Sequence, residues 1–499
     1  MFCLMAVILF MGCERDAQVD PWWVFAPHSQ HMIPTRVLAH HLLPIAVNVQ
    51  GNIRATETYD FIVESSPALI TPTELIVKRG RGAALTATGE SGETTVSGTC
   101  AFTVVGFDAA LRILDHPPMR ELSGSLSGDD LVWDSTSVIF VASNIQIPAG
   151  SSLMIHPGTI VTLASLAEIR VEGGMHCLGE HSPIQFLPEQ PGSPWGQIDH
   201  RPGSFALYEN CFFVGGGGNP ARAFGHSSSQ PVLGGEECTI SAENIVIMDC
   251  PGKAFGLLKS EVSIANSLIT RCDTGGEFHA SLVQISDSYF LDIPDADHVI
   301  ADNDNDGIYF YGAWNGGAAS SLIDHCVLMT CEDDAIDHNG ADLHVSGCVI
   351  DGMFHEGIAA SNALSITVAN SLITNCQQGI EAGWGEPEVI VDHCAVLNNQ
   401  IGLRLGDSYD TGCFGSIDVT NSIFTDNDSL NIRNYDLAIE GPRENAISIT
   451  YSIVNQADYD SGLGCLTGTP AFNFDFQLLP NSIGQGAASD HQNMGLLPF

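Results

Sequence analysis

The sequence predicts an all-β chain: a right-handed parallel β-helix solenoid preceded by a small β-sandwich domain. Three observations lead there. A short motif, apolar-x-apolar-x-(Asn/Asp/His)-(Ser/Cys)-apolar, recurs with variation, as in YENCFF, SIANSLITRC, LIDHCVLMTC and TVANSLITNC. Its fifth position falls at Asn210, Asn244, Asn266, Asp287, His325, Gly347, Asn370, His393, Asn421 and Tyr451, with gaps of 34, 22, 21, 38, 22, 23, 23, 28 and 30. The runs alternate with period two and lack helical periodicity. A unit of about 22 residues with that pattern is one coil of a solenoid, which must stack on its neighbours to bury an apolar face. Leucine-rich repeats share the length, but their Leu-x-x-Leu-x-Leu pattern is absent. Finally, 51 Gly and abundant Asp beside three lysines (Lys78, Lys253, Lys259) favour turns over long helices.

Taken in chain order, residues 1–13 read as an export signal. Met1 to Gly12 is almost wholly apolar and too short to span a bilayer as a stable helix. The stretch Leu9-Phe10-Met11-Gly12-Cys13 resembles the lipobox of bacterial lipoproteins. That resemblance implies a diacylated Cys13 and a lipid anchor in the outer membrane, with a cell-surface location; periplasmic or secreted protein is the other outcome. Residues 14–38 read as a tether. Residues 39–122 alternate between short strands and turns at the spacing of a small β-sandwich. Residues 123–205 are entry coils, 206–460 the repeats and 461–499 a closing segment.

The charge bounds the function. With 59 Asp+Glu against 17 Lys+Arg the formal net charge is −42. Nucleic-acid binding by phosphate neutralisation and adhesion to anionic membranes through basic patches are excluded.

In-register stacking puts coils about 4.8 Å apart and turns sequence periodicity into columns. One position past the anchors stand Cys211, Cys326, Cys348 and Cys394 among serines; six past stand Cys250, Cys272, Cys331 and Cys376. These read as small free thiols stacked in a narrow core, with a Cys326–Cys348 disulfide as an alternative. A Gly-Ile step aligns further columns. Asp306, Asp334 and Glu356 form a ladder of carboxylates, which repel unless protonated or bridged by a cation. Together with Asp302 and Asp304 they make a candidate Ca²⁺ site. The segment from Asp302 to Gly307 starts like an EF-hand loop, but Ala313 stands where the Glu belongs. The neighbouring column carries Tyr309, Asp337, Glu381 and Arg404 with Ala359 as a gap. His338, His355, Tyr311, Asn339 and Trp384 lie nearby. Carboxylates that grip hydroxyls, a ring that stacks on a sugar and Asp or Glu for acid–base work suit a polysaccharide groove. Asp337, His338, His355, Glu381 and Arg404 are the candidate catalytic residues; Tyr309, Tyr311, Asn339 and Trp384 the candidate substrate contacts.

The segment VIFVASNIQIPAGSSLMIHPGTIVTLASLAEIRVEGGMHCLGEHSPIQF…PWGQI and the ending TPAFNFDFQLLPNSIGQGAASDHQNMGLL resemble the opening and closing parts of secreted right-handed β-helix proteins of the pectate-lyase-like superfamily. The resemblance covers about Leu131 to Leu497. It implies the fold and leaves lyase, hydrolase, adhesin and scaffold open. Lyases of this fold use Lys or Arg as base, yet Lys253 and Lys259 are placed three to four coils from the ladder. The hydrolases' Gly-His-Gly element is absent, although Asp333-Asp334 resembles their paired aspartates. The expectation is an exported, surface-held β-helix that binds extracellular polysaccharide without turning it over, with a polysaccharide lyase or glycoside hydrolase as the alternative.

Overall fold

The computed structural model of the protein describes residues 30–49, 53, 54, 56, 58–100, 106–294, 304–406 and 411–498. The export signal with Cys13, and Asp302 of the candidate cation site, lie outside the described residues.

The repeats wind into a right-handed parallel β-helix with three strands per coil and every coil pairing in parallel with the next. One face is a thirteen-stranded sheet containing Thr239–Glu243 and Leu343–Ser346. The second face contains Val246–Cys250 and Val349–Asp351. The third contains Ile308–Tyr311, Ile336–Asn339, Glu356–Asn362, Gln378–Gly385 and Ile401–Leu405.

The anchor residues explain the repeat. Each one, from Asn210 at φ 51° to Tyr451 at φ 47°, is left-handed. Five residues on stands a second left-handed column, at Asp249, Arg271, Asp292, Thr330, Gly352, Asn375, Asn398 and Asp426. These two corners bracket the short strand of the second face. Asn, Asp, His and Gly tolerate that backbone best, which is why they mark the motif. At the corner the strand ladder lapses, and the next side chain repairs it. Ser288 Oγ accepts from Ser267 N at 3.1 Å and donates to Ser286 O at 2.7 Å. Ser371, Ser422 and Ser452 do the same for Cys348, Cys394 and Ser422. Cysteines in this column donate Sγ to the carbonyl two residues back, as Cys326 does to Asp324 at 3.2 Å. Ser and Cys interchange because each is small and hydrogen-bonds locally. Among the described residues all thirteen cysteines are free thiols.

The side chain two past each anchor points out of the coil, not into it. The interior holds Ile247, Ile269, Phe290, Leu328, Ile350 and Ile373. Val246, Leu268, Tyr289, Val327, Val349 and Leu372 instead pack beneath Met32, Ala46 and Ala83 of the N-terminal domain and beside Leu478, Ala488, Met494 and Leu496 of the closing segment. The second face is apolar on both sides because both sides are covered.

The N-terminal domain corrects the expected sandwich. Its eight strands form one sheet, in the spatial order 30–32, 42–48, 81–87, 73–78, 58–66, 92–100, 106–114, 36–38. The two edge strands are joined by residues 33–35, a reach of about 14 Å at most. The sheet must therefore curl until its edges approach, enclosing Val37, Phe61, Leu75, Val77 and Val96. Two of these strands fall within the expected tether. Cationic side chains dock the domain on the rod. Arg79 Nη2 lies 2.6 Å from Asp351 Oδ2 and Lys78 Nζ 2.5 Å from Asp292 Oδ1. The buried Arg54 donates to Leu497 O and to Asn370 Oδ1, at 2.6 and 2.9 Å.

Asn266 isolates the corner's backbone requirement, because its side chain is exposed. Asn266→Val should lower stability by about 1–2 kcal/mol, and Asn266→Gly should change it by less, read from denaturant midpoints of the full chain. Equal losses for the two would remove the left-handed corner as the reason for the motif.

Candidate functional site

The third face carries the polar groups. Strand alternation sends Ile308, Ile336, Ile358 and Ile380 inward and the following residues outward. The register aligns Glu277, Tyr309, Asp337, Ala359, Glu381, Arg404 and Arg433 in one outward column. Several of these outward groups are nevertheless buried: Tyr309 is 3% exposed and Arg404 7%. Flanking structure therefore shields the column as a groove. One wall is the loop 219–230, whose His226 ring stacks on Tyr309 with centroids 4.8 Å apart and planes at 12°.

Beside this column runs the carboxylate ladder, and the expected neighbours meet. Asp306, Asp334, Glu356 and Gln378 are all buried. Each acid takes an N–H from the next coil: Asp334 N donates to Asp306 Oδ1 at 3.4 Å and Glu356 N to Asp334 Oδ1 at 2.8 Å. Gln378 Nε2 donates to Glu356 Oε1. Arg404 closes the series, donating Nη1 to Gln378 Oε1 at 3.3 Å and to Glu381 Oε2 at 2.7 Å. Burial, then the neighbouring acids, hold the Asp306, Asp334 and Glu356 carboxyls well above the usual range. The same causes push Asp337, half-buried and facing Asp333, up to about 8.

His355 sits over this ladder. Its Nδ1 lies 3.0 Å from Asp333 Oδ1, 3.7 Å from Asp334 Oδ1 and 2.5 Å from Glu356 Oε2. Burial favours the neutral ring, but the bond to Asp333 and the charges of Asp334, Asp333 and Glu381 prevail and raise its pKa to about 9. Asp333, Asp334, His355 and Glu356 offer ligand atoms within 4.8 Å of one another; so do His226, Asp306 and Asp337. Asp304, an expected ligand, instead stands 3.5 Å from His226 Nδ1 through its Oδ1.

His338 does not belong to the site. It is fully buried, aligned with Phe310 and Ala360 in the inward column, and its Nε2 bonds Ala341 O at 2.5 Å. Burial lowers its pKa, so the ring is a neutral core group. Asn339 donates Nδ2 to Tyr309 Oη at 3.2 Å. Tyr311 and Trp384 are 49% and 38% exposed, as a stacking surface requires. Trp384 is three residues past Glu381 on the same strand.

The sequence reading missed the upper end of the groove. Glu277 precedes Tyr309 in the column, and its buried carboxylate collects Lys253 Nζ at 2.5 Å and the His226 and Ser227 N–H groups at 2.6 and 2.9 Å. Lys253 is therefore tied to the groove through Glu277, two coils from Tyr309, and not remote. Burial lowers its pKa against the pull of Glu277. The register gave a signal: Gly275-Gly276-Glu277 occupies the places of Gly307-Ile308-Tyr309. Lys259 is exposed, 3.7 Å from Glu237, and outside the site.

A family model agrees on the architecture of the repeats. The family model described as "Right handed beta helix region" matches residues 294–459. A solved tailspike protein of E. coli bacteriophage HK620, a double mutant, aligns at 10% identity over 65% of this chain and 71% of its own, with a TM-score of 0.25. No curated protein matches this chain.

The raised His355 pKa has a defined sign. The charged ring stabilises the fold fully below its unfolded pKa of about 6.5, and that contribution fades as pH rises through about 9. The melting-temperature gap between wild type and His355→Gln should be widest at about pH 6 and close above about pH 9. A gap that does not depend on pH would show that His355 acts by packing alone.

Proposed function

We propose that this chain is an exported β-helix protein that binds an extracellular polysaccharide in the groove of its third face. The observation that carries the reading is the outward column from Glu277 to Arg433, with carboxylates in register, the exposed ring of Tyr311 two past Tyr309, and a second exposed ring, Trp384, on the strand that carries Glu381. Carboxylates accept hydroxyl protons and the rings offer flat apolar faces, the two surfaces a sugar presents. The resemblance to the pectate-lyase-like superfamily and to the lipobox at Cys13 supports a secreted, lipid-anchored protein held at the outer membrane.

The sign of the charge selects among ligands. Asp273, Glu277, Asp304, Asp306, Asp333, Asp334, Asp337, Glu356 and Glu381 gather around the groove, while Lys253 and Arg404 are each committed to a glutamate. A uronate would meet repulsion from these acids, and with Lys253 and Arg404 engaged a lyase mechanism would have to draw on Arg433, exposed at the far end of the column. Neutral or amino-sugar chains fit. One observation favours hydrolysis as a second reading. Asp337 and Glu381 flank Ala359 two coil steps apart, about 9.6 Å along the axis, near the upper end of the spacing of an inverting acid–base pair.

Affinity electrophoresis through soluble neutral glycans tests the proposal. Wild type should be retarded by at least one of them, and Trp384→Ala should lose about tenfold in affinity, the loss typical of a buried aromatic contact. No retardation by neutral, amino-sugar or acidic chains would refute binding. New reducing ends that Glu381→Gln abolishes would establish the hydrolase instead, and ultraviolet absorbance from unsaturated uronate would establish a lyase.

A further inference from the structure

His226, Asp306 and Asp337 come from three separate parts of the chain, yet one ligand atom from each lies within 4.8 Å of the others. We propose that they bind a divalent transition-metal ion at the rim of the groove, a site distinct in donor chemistry from an all-oxygen calcium turn.

Two observations carry this beyond a cluster of acids. The first is Asp306. It is 1% exposed, its Oδ1 takes the Asp334 N–H, and its Oδ2 has no hydrogen-bond partner among the described residues. A buried carboxylate oxygen without a donor is costly, and a cation would satisfy it. The neighbouring set around His355 has no such need, since that ring already faces Asp333 and Glu356. The second is that the loop bearing His226 is built to hold it there. The His226 and Ser227 N–H groups are anchored on the buried Glu277 carboxylate, and Ser227 Oγ donates to Asp273 Oδ2 at 2.9 Å. Gly225, at φ 67°, is required at this approach, because a Cβ would lie 1.7 Å from Glu277 Oε2. Tyr309 supports the ring from below.

The donor set decides the metal. One imidazole and two carboxylates suit Zn²⁺ or its neighbours, whereas Ca²⁺ takes six or more oxygens. Asp304 beside the ring is placed as the outer carboxylate that orients a ligating histidine. Three protein ligands leave coordination positions open toward the groove. An ion commits Asp337 as a ligand, so this inference and the Asp337–Glu381 hydrolase reading exclude one another. It does not require the glycan reading.

The full chain, stripped with chelator, should be titrated with Zn²⁺, Co²⁺ and Ca²⁺ by calorimetry. A single Zn²⁺ or Co²⁺ per chain is expected, with the visible Co²⁺ spectrum of a nitrogen–oxygen site. His226→Ala should weaken binding by at least about tenfold while circular dichroism and melting stay as in wild type, because the His226 side chain is 44% exposed. Asp306→Asn, with its fold checked in the same way, should have the same effect. Absence of binding, or binding indifferent to His226→Ala, overturns the site. Tighter Ca²⁺ binding that ignores His226 would assign the cation to the carboxylate ladder alone.

Discussion

Parallel stacking in strict register is the constraint from which the other features follow. Residues some 22 positions apart in sequence become nearest neighbours along the rod, so each column must suit itself as well as its coil. The left-handed corners show how far this reaches. A position with φ near 50° recurs coil after coil, from Asn210 to Tyr451, and Asn, Asp, His or Gly fills it in all but the last. Where a serine follows, its hydroxyl satisfies the amide the corner leaves unpaired, and so couples each coil to the next through a side chain as well as through the ladder.

The same constraint makes the acidic ladder expensive and then limits the expense. Asp306, Asp334 and Glu356 cannot avoid one another once they occupy a single column. Each is held by an amide or side-chain N–H from the adjacent coil, and the run of charge is terminated at both ends. Gln378 and the Arg404–Glu381 pair stand at one end. Asn305, donating Nδ2 to Asp273 O, and the Lys253–Glu277 pair stand at the other. The buried run of carboxyls is thus confined to three adjacent coils, where it faces whatever enters the groove.

What the sequence made legible follows the same logic. The anchor column, the Cys and Ser columns and the alignment of Asp306 with Asp334 and Glu356 could be read because they repeat. Asp337 and Glu381 could be assigned to one outward file for the same reason. His338 could have been assigned correctly too: alternation puts it opposite in parity to Asp337, and Ala360 beside it leaves room for a ring in the core. Features that depend on non-repeating chain were out of reach. The apolar residue two past each anchor looks like core in one coil, and only the N-terminal sheet and closing segment show why an outward position is apolar. Lys253 seemed distant because the loop carrying His226, which joins it to the groove through Glu277, is an insertion outside the period. The sandwich failed because alternation specifies strands but not whether their ladder divides into two.

Covering one face decides where chemistry can reside. The second face lies under the N-terminal domain and the closing segment, with Arg54, Lys78 and Arg79 among the basic groups bound there. The first face presents exposed side chains such as Ser263, Gln284 and His344, and its acids, such as Glu243 and Glu261, stand in solvent. On the third face the loop 219–230 rises beside a strand column, where outward residues such as Tyr309 are desolvated. Desolvation is what separates a chemically potent carboxylate from a merely soluble one. In a chain this acidic, most carboxylates serve solubility, and those around Asp306 and Asp337 differ because the rod and its loops have taken the water away from them.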